Sequence, residues 1–349
     1  MTTAPTPCPD GWFAVAFSSD LRPGQVRRSR IAGDEVVVYR TRSGLVRVTA
    51  PHCPHLGAHL GRGGRVVGEQ LVCPFHGFSF DTDGTCVATG YGTRPPKASL
   101  RLRHSHEANG FVFVWQHHAG LPPQWDLPRL PHDYPHTAQT THCFRGHPDD
   151  PGENSVDIGH FAHIHRITDA RPLHTFTTDR HRAQLAVTGR KILGPYGHGI
   201  DAVIRYEYWG LGFTVIDTHI PRLRIRGRVL NAVTVPIPGQ LQMRTRISSA
   251  LTTGSTPAKG PLWLDRLLAT ALTHAVRPQY VRDIRQDIGI WHHKTYVERP
   301  RLAEGDGPIT AWRRWTRQFH PVHPTDPVHP TDPAHPTDPI NPVHPGARP

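Results

Sequence analysis

The chain reads as an α+β protein of two folded domains followed by a disordered, proline-rich tail, and three observations predict it. Residues 11–115 hold short β-rich segments between Gly or Asp turns, among them EVVVY at 35–39, LVRV at 45–48 and FVFVW at 111–115. Runs of this kind, bounded by turn formers, predict a small antiparallel β domain. The proline-rich stretch 121–135 then marks a boundary. Beyond it, strand patterns at 200–214, 226–236 and 241–247 mix with helical stretches near 153–166 and 262–290, which predicts a sheet backed by helices. The expected division is therefore 1–135, 136–320 and a tail at 321–349. A chain of 349 residues is long enough for two cores.

From Val322 the hexad VHPTDP repeats, becomes AHPTDP and degenerates to INPVHP. Proline at this density removes backbone donors and favours extended polyproline conformations, so no packed core is expected there. Its regularly spaced histidines offer at most weak metal binding.

Composition excludes several classes. The formal charge is +12, but the basic runs RRSR (27–30) and RIRGR (224–228) lack interleaved aromatics, which argues against nucleic acid. An acidic redox partner is one use for that charge. Of five cysteines, Cys8, Cys86 and Cys143 are scattered without a pairing pattern, which predicts a reducing compartment. No apolar run is long enough for a transmembrane helix, and the N-terminus lacks the regions of a signal peptide. The expectation is a cytoplasmic protein.

The densest chemistry lies in Cys53-Pro54-His55 and Cys73-Pro74-Phe75-His76. Two thiolates and two imidazoles fit either a structural zinc or a [2Fe–2S] centre in which two Cys hold one iron and two His the other. Each short group mixes one Cys with one His, so each loop can give one ligand to each iron. A zinc finger more often groups Cys with Cys and His with His. Gly57, Gly61, Gly63, Gly64 and Gly77 lie close by, where backbone N–H groups must turn toward sulfur.

The full segment, CPHLGAHLGRGG and then LVCPFHGFSF, resembles the Rieske motif. With it the chain resembles the oxygenase (alpha) component of Rieske non-haem iron oxygenases. That resemblance implies a Rieske [2Fe–2S] domain with Cys53 and Cys73 on one iron and His55 and His76 on the other. A helix-grip-like catalytic domain, with helices against an antiparallel sheet, would follow.

A mononuclear Fe(II) centre needs two imidazoles and one carboxylate with positions left open. In ENSVDIGHFAHIH (153–165), His160 and His165 supply imidazoles, while spacing alone also leaves His163 eligible. On an ideal helix His160 and His165 stand about 140° apart, with Asp157 between them. A distortion at Gly159, or a helix that ends before His165, is therefore expected. The run also resembles the family's D-x-x-H-x-x-x-x-H element preceded by Glu-Asn. This implies His160 and His165 as iron ligands and Asp157 as the bridge to a cluster histidine of a neighbouring subunit.

The third ligand must come from far along the chain, and Asp283, Asp287 and Glu298 are candidates. Tyr280, Ile284, Asp287 and Trp291 share one helical face, with Asp283 only about 40° from Asp287, so periodicity separates the two acids weakly. QDIGIWHHKTY (286–296) resembles steroid-type Rieske oxygenases, in which the Asp after Gln is the ligand, and this selects Asp287.

Over residues 10–320 the likeness is to 3-ketosteroid 9α-hydroxylase oxygenase subunits and cholesterol 7-desaturases. It implies O2 as cosubstrate and electrons from NAD(P)H through a flavin reductase, with or without a ferredoxin. It further implies a head-to-tail homotrimer and hydroxylation or desaturation of a hydrophobic, steroid-like molecule. Trp209, Phe213, Trp263, Leu264, Leu267 and Leu268 are compatible with its pocket. An aromatic or secondary-metabolite scaffold, oxidised or cyclised, is the alternative substrate class. A Rieske electron carrier without oxygenase activity is the alternative function.

Overall fold

The computed structural model describes residues 6–134, 136–193, 198–251 and 262–321. The repeat tail from Val322 onward lies outside these residues.

The N-terminal half builds three small antiparallel sheets from β1 (Gly11–Phe17), β2 (Val26–Ile31), β3 (Asp34–Arg40), β4 (Val46–Thr49), β5 (Arg65–Val67), β6 (Gln70–Val72), β7 (Ser79–Phe80), β8 (Cys86–Ala88), β9 (Ser105–Ala108) and β10 (Phe111–Gln116). Their orders are β2-β3-β4, β5-β6-β7-β8 and β1-β10-β9. Continuous apolar strands arise because both faces are covered. In β10, Phe111, Phe113 and Trp115 enter one core while Val112 and Val114 enter another. In β3, Val36 and Val38 face that second core, and Val37 and Tyr39 pack under the cysteines Cys53 and Cys73. The two-residue period of a strand sorts each run between two interiors.

The C-terminal half is a seven-stranded antiparallel sheet built from β11 (Ala138–Arg145), β12 (Ile167–Asp179), β13 (Arg182–Leu193), β14 (His198–Trp209), β15 (Phe213–Ile220), β16 (Ile225–Ile237) and β17 (Gln240–Leu251). Its order is β11-β17-β16-β15-β14-β13-β12. The single strand expected over 200–214 is two strands, because Gly210 takes a left-handed φ of +58° and folds β14 back onto β15, with Trp209 opposite Phe213. β11, β12 and β13 carry polar and charged residues at many positions, and their patterns predicted no strands.

Among the described residues four α-helices complete this half: α1 (Asp150–Val156), α2 (His160–His165), α3 (Leu262–Trp291) and α4 (Ile309–Thr316). α1 and α2 lie in the connection between β11 and β12, the two edges of the sheet. α3 packs on β17 and β11 and also touches α2. A chain that must cross from one edge to the other thus carries α2 to a helix that arrives from the opposite end of the sequence.

The halves are joined through their cores. Phe13 and Val15 of β1 share an interior with Val233, Met243, Ile284 and Trp291. The buried Arg244 guanidinium donates to the carbonyls of Ala14 (2.6 Å) and Val15 (3.0 Å), at the bulge where β1 shifts register. Thr234 Oγ1 donates to the same Ala14 oxygen at 2.6 Å. Buried carbonyls that a bulge removes from the ladder are satisfied in this way.

Candidate functional site: a paired-loop cluster cradle and a two-histidine, one-carboxylate centre

The two cysteine loops are built alike. Cys53 N–H donates to Ala58 O and Gly57 N–H to Cys53 O, each at 2.9 Å; Cys73 N–H donates to Phe78 O (2.8 Å) and Gly77 N–H to Cys73 O (3.2 Å). The offsets are identical, and both glycines sit at positive φ, +74° and +67°. A Cβ on Gly77 would also come within 2.9 Å of Gly90 Cα, where a third loop closes over the second. Both cysteines are buried, while His55 and His76 lie half-buried with ring centroids 4.9 Å apart. The His55 ring stacks on Phe78 at 4.1 Å.

The donor set fits a two-iron cluster. Burial pushes the Cys53 thiol up to about 11, with neighbouring Cys73 adding to the effect, so its thiolate needs a bound cation. His76 Nδ1 is buried without a hydrogen-bond partner. A zinc tetrahedron would hold all four donor atoms within about 4 Å of one another. Among the described residues, no three of these four side chains converge within 4.8 Å. A pair of irons needs no such single point.

His160, His165 and Asp287 do converge, with donor atoms all within 4.8 Å of one another. The helix expected over 153–166 is broken, but not where spacing suggested. Asp157 takes extended angles (φ −74°, ψ 92°) and separates α1 from α2, Gly159 is the helical N-cap, and His165 ends α2 before left-handed Arg166. The six-residue helix presents its first and last side chains to one point, with rings 5.1 Å apart. His160 Nδ1 lies 2.5 Å from Asp157 O. An N–H there fixes the tautomer and places the acceptor lone pair on Nε2. Asn154 Nδ2, at 3.2 Å, donates to that lone pair.

On α3, Ile284, Asp287 and Trp291 are buried together, as the shared helical face predicts. Asp287 Oδ1 lies 3.0 Å from His165 Nε2, yet no aligned hydrogen bond serves that buried oxygen. A 3.0 Å approach without hydrogen-bond alignment is what two adjacent ligands would show, since bonds of about 2.1 Å at right angles separate donors by about 3.0 Å. A buried carboxylate without a donor otherwise costs several kcal/mol. Asp283 is engaged elsewhere, by Lys191 Nζ at 2.9 and 3.1 Å. His163 and Glu298 are exposed and stand outside the convergence.

A second convergence, Asp10 with His117 and His118, reads differently. Ala119 N–H donates to His117 Nδ1, so Nε2 carries the proton toward Asp10, and His118 Nδ1 lies 2.7 Å from the same carboxylate. Its ring nitrogens act as donors to Asp10, which ties β10 to the N-terminal segment.

The apolar residues expected to line a pocket do not do so together. Phe213 is in the core with Phe111 and Phe113, Trp209 lies under Arg182, and Trp263, Leu264, Leu267 and Leu268 are exposed on α3. Their hydrophobicity carried no positional information. Asn154 and Lys191 were not singled out. Glu-Asn before Asp157 was the only hint of the first, and nothing marked the second.

Residues 11–98 match the Rieske [2Fe-2S] domain, and residues 114–320 match the 3-ketosteroid 9alpha-hydroxylase C-terminal domain. The chain is 29% identical to a cholesterol 7-desaturase of Xenopus laevis over 340 residues, covering 89% of this chain and 72% of that one. It is 27% identical over 342 residues to the oxygenase component of a Rhodococcus rhodochrous 3-ketosteroid-9-alpha-monooxygenase, covering 91% and 85%. Its fold is similar to dicamba monooxygenase bound to dicamba (TM-score 0.62, 18% identity, 89% and 96% covered) and to Pseudomonas putida NdmA with caffeine (TM-score 0.64, 15% identity, 88% and 89% covered). No helix among the described residues is long and apolar enough to cross a membrane. A Rieske cradle joined to a catalytic half that matches along its whole length makes this chain a Rieske non-haem iron oxygenase alpha component of the 3-ketosteroid 9alpha-hydroxylase family.

Proposed function

We propose that the enzyme hydroxylates or desaturates a steroid-like polycycle, with His160, His165 and Asp287 holding a ferrous ion and Cys53, Cys73, His55 and His76 holding the cluster. The observation that carries the reading is the 3.0 Å approach of His165 Nε2 to an Asp287 oxygen that no hydrogen bond serves. When bound, the cluster supplies electrons singly and the ferrous ion supplies O2 activation. Residues 1–135 form the electron-receiving domain in this reading and 136–320 the oxidising one.

The chain's own residues have definite tasks. Asp157 O fixes the His160 tautomer, and the Asp157 carboxylate, half-exposed and 3.5 Å from His160 Nδ1, is free to reach a protonated imidazole of a neighbouring subunit. The cluster histidines are rimmed by exposed Leu56 (66%) and Phe75 (62%), an apolar edge suited to a subunit contact. A head-to-tail homotrimer, a closed ring of heterologous contacts, brings such an edge to Asp157. Electrons from NAD(P)H reach the cluster one at a time through a flavin reductase, with or without a ferredoxin. The steroid class rests on the relatives' named substrates.

Incubation of the cluster- and iron-loaded protein with a reductase, NADH and a panel of 3-ketosteroids, sterols and aromatic compounds under 18O2 tests this reading. A product carrying one labelled oxygen establishes hydroxylation, and loss of two hydrogens establishes desaturation. Turnover of aromatic compounds with every steroid untouched overturns the substrate class. In the same assay Asp157→Ala retains both metals and loses turnover.

A further inference from the structure

Lys191, near the end of β13, joins two elements of the mononuclear centre. Its ammonium donates to the His165 backbone carbonyl at 2.7 Å and to both Asp283 oxygens at 2.9 and 3.1 Å. The carbonyl is one of the orphan acceptors at the C-terminus of α2, a position that favours a cation. Asp283 lies one helical turn before Asp287 on α3 and also accepts from Gln279 Nε2 at 2.8 Å. His165 Nδ1 is buried with no hydrogen-bond partner, and an oxygen of Asp283 stands 4.0 Å from it.

We propose that Lys191 and Asp283 are a positioning pair for His165, holding its Nδ1–H toward Asp283 and keeping Asp283 from competing with Asp287 for the metal. The inference rests on the reading of His160, His165 and Asp287 as the ferrous site. Two physical needs meet in the pair. A metal-bound imidazole is oriented by an acceptor on its other nitrogen, and Asp283 is the acidic group beside that nitrogen. Two carboxylates one turn apart are near-equivalent ligands unless one is neutralised, and of the two it is Asp283 that Lys191 binds. The ammonium also pins the end of α2 to α3, so the angle between the His165 ring and Asp287 is set by β13.

Cobalt(II) titration of the full-length, cluster-loaded protein tests the pair without turnover, with cluster absorbance as the folding control. Asp283→Asn and Lys191→Met each weaken Co(II) binding by about 10- to 100-fold and alter the cobalt ligand-field spectrum, while the double variant is no weaker than either single. Lys191→Arg restores most of the affinity. Wild-type affinity and spectrum in Asp283→Asn, or strictly additive losses in the double variant, overturns the proposal. Asp287→Ala and His160→Ala run alongside: if they bind Co(II) as tightly as wild type, the ferrous-site reading fails and this one with it. If they lose it while Asp283→Asn does not, only the positioning pair is wrong.

Discussion

The two metal cradles of this molecule are made in opposite ways. The cluster cradle uses two hairpin loops close in sequence, each closed by its own Cys N–H and Gly N–H bonds, so its geometry is almost entirely local. The candidate mononuclear centre draws two histidines from the ends of a six-residue helix and its carboxylate from a helix far along the chain, with Lys191 of β13 touching both helices. Local turns hold the first, and tertiary packing holds the second. The two should therefore fail independently, and differently.

The largest effect expected is separate, complete loss of each centre. Cys73→Ser should abolish the cluster's visible absorbance while Co(II) still binds the mononuclear site, and Asp287→Ala should do the reverse, lowering iron from about three to about two per chain. Loss of both centres in either variant would break the contrast between local and assembled sites.

A smaller effect sharpens it. Glu153 and Arg313 form a buried bidentate pair at 2.5 and 3.0 Å, which holds α1 against α4 next to Asn154. Arg313→Met leaves buried Glu153 with only the Lys294 ammonium, 3.6 Å away, to offset its charge, and the expected cost in a denaturation curve is about 3 kcal/mol, the low end for breaking a buried pair. The weakening should appear as loss of mononuclear metal affinity before loss of the cluster. A variant that sheds the cluster first would place the fragile region in the loops instead.

The mildest prediction concerns acid. Burial pushes the His147 imidazole down to about 4 from 6.5, with Asp149 partly opposing, and the ring is stacked on Tyr296 at 3.7 Å with 11% of the side chain exposed. Between these values the unfolded chain binds a proton that the folded chain does not. Stability is therefore full above about pH 6.5 and falls by up to about 3 kcal/mol as pH drops toward 4. Thermal melts across that window should show the slope, and His147→Gln should flatten it.

Much of both sites was legible in the residues. The cysteine and histidine loops were visible because their ligands, prolines and turn glycines crowd into short stretches, where the constraint and its cause are neighbours. Asp287 was visible only in part: periodicity placed it on an inward face but left Asp283 nearly level with it. The distances to Lys191 separate them, and Lys191 belongs to a strand that no pattern revealed. The helix over 153–166 was correct in type, and a break in it was expected but misplaced: the chain leaves helical angles at Asp157, while Gly159 stays helical. The pocket residues failed because hydrophobicity alone says neither whether a side chain is buried nor where: Phe213 went into the core, while Trp263, Leu264, Leu267 and Leu268 stayed exposed.

Sequence by itself determined the donor inventory, the β-rich cradle, the long α3 and the pairing of each cysteine with a histidine, since these depend on residue type and on spacing of a few positions. Tertiary structure alone decided where the catalytic helix breaks and which cation stands beside Asp283, and its distances separate Asp287 from Asp283, which periodicity left level and only the family resemblance had resolved. Those choices depend on a seven-stranded sheet that brings distant segments together, and the energy that selects among near-equivalent acids is a matter of distance in space.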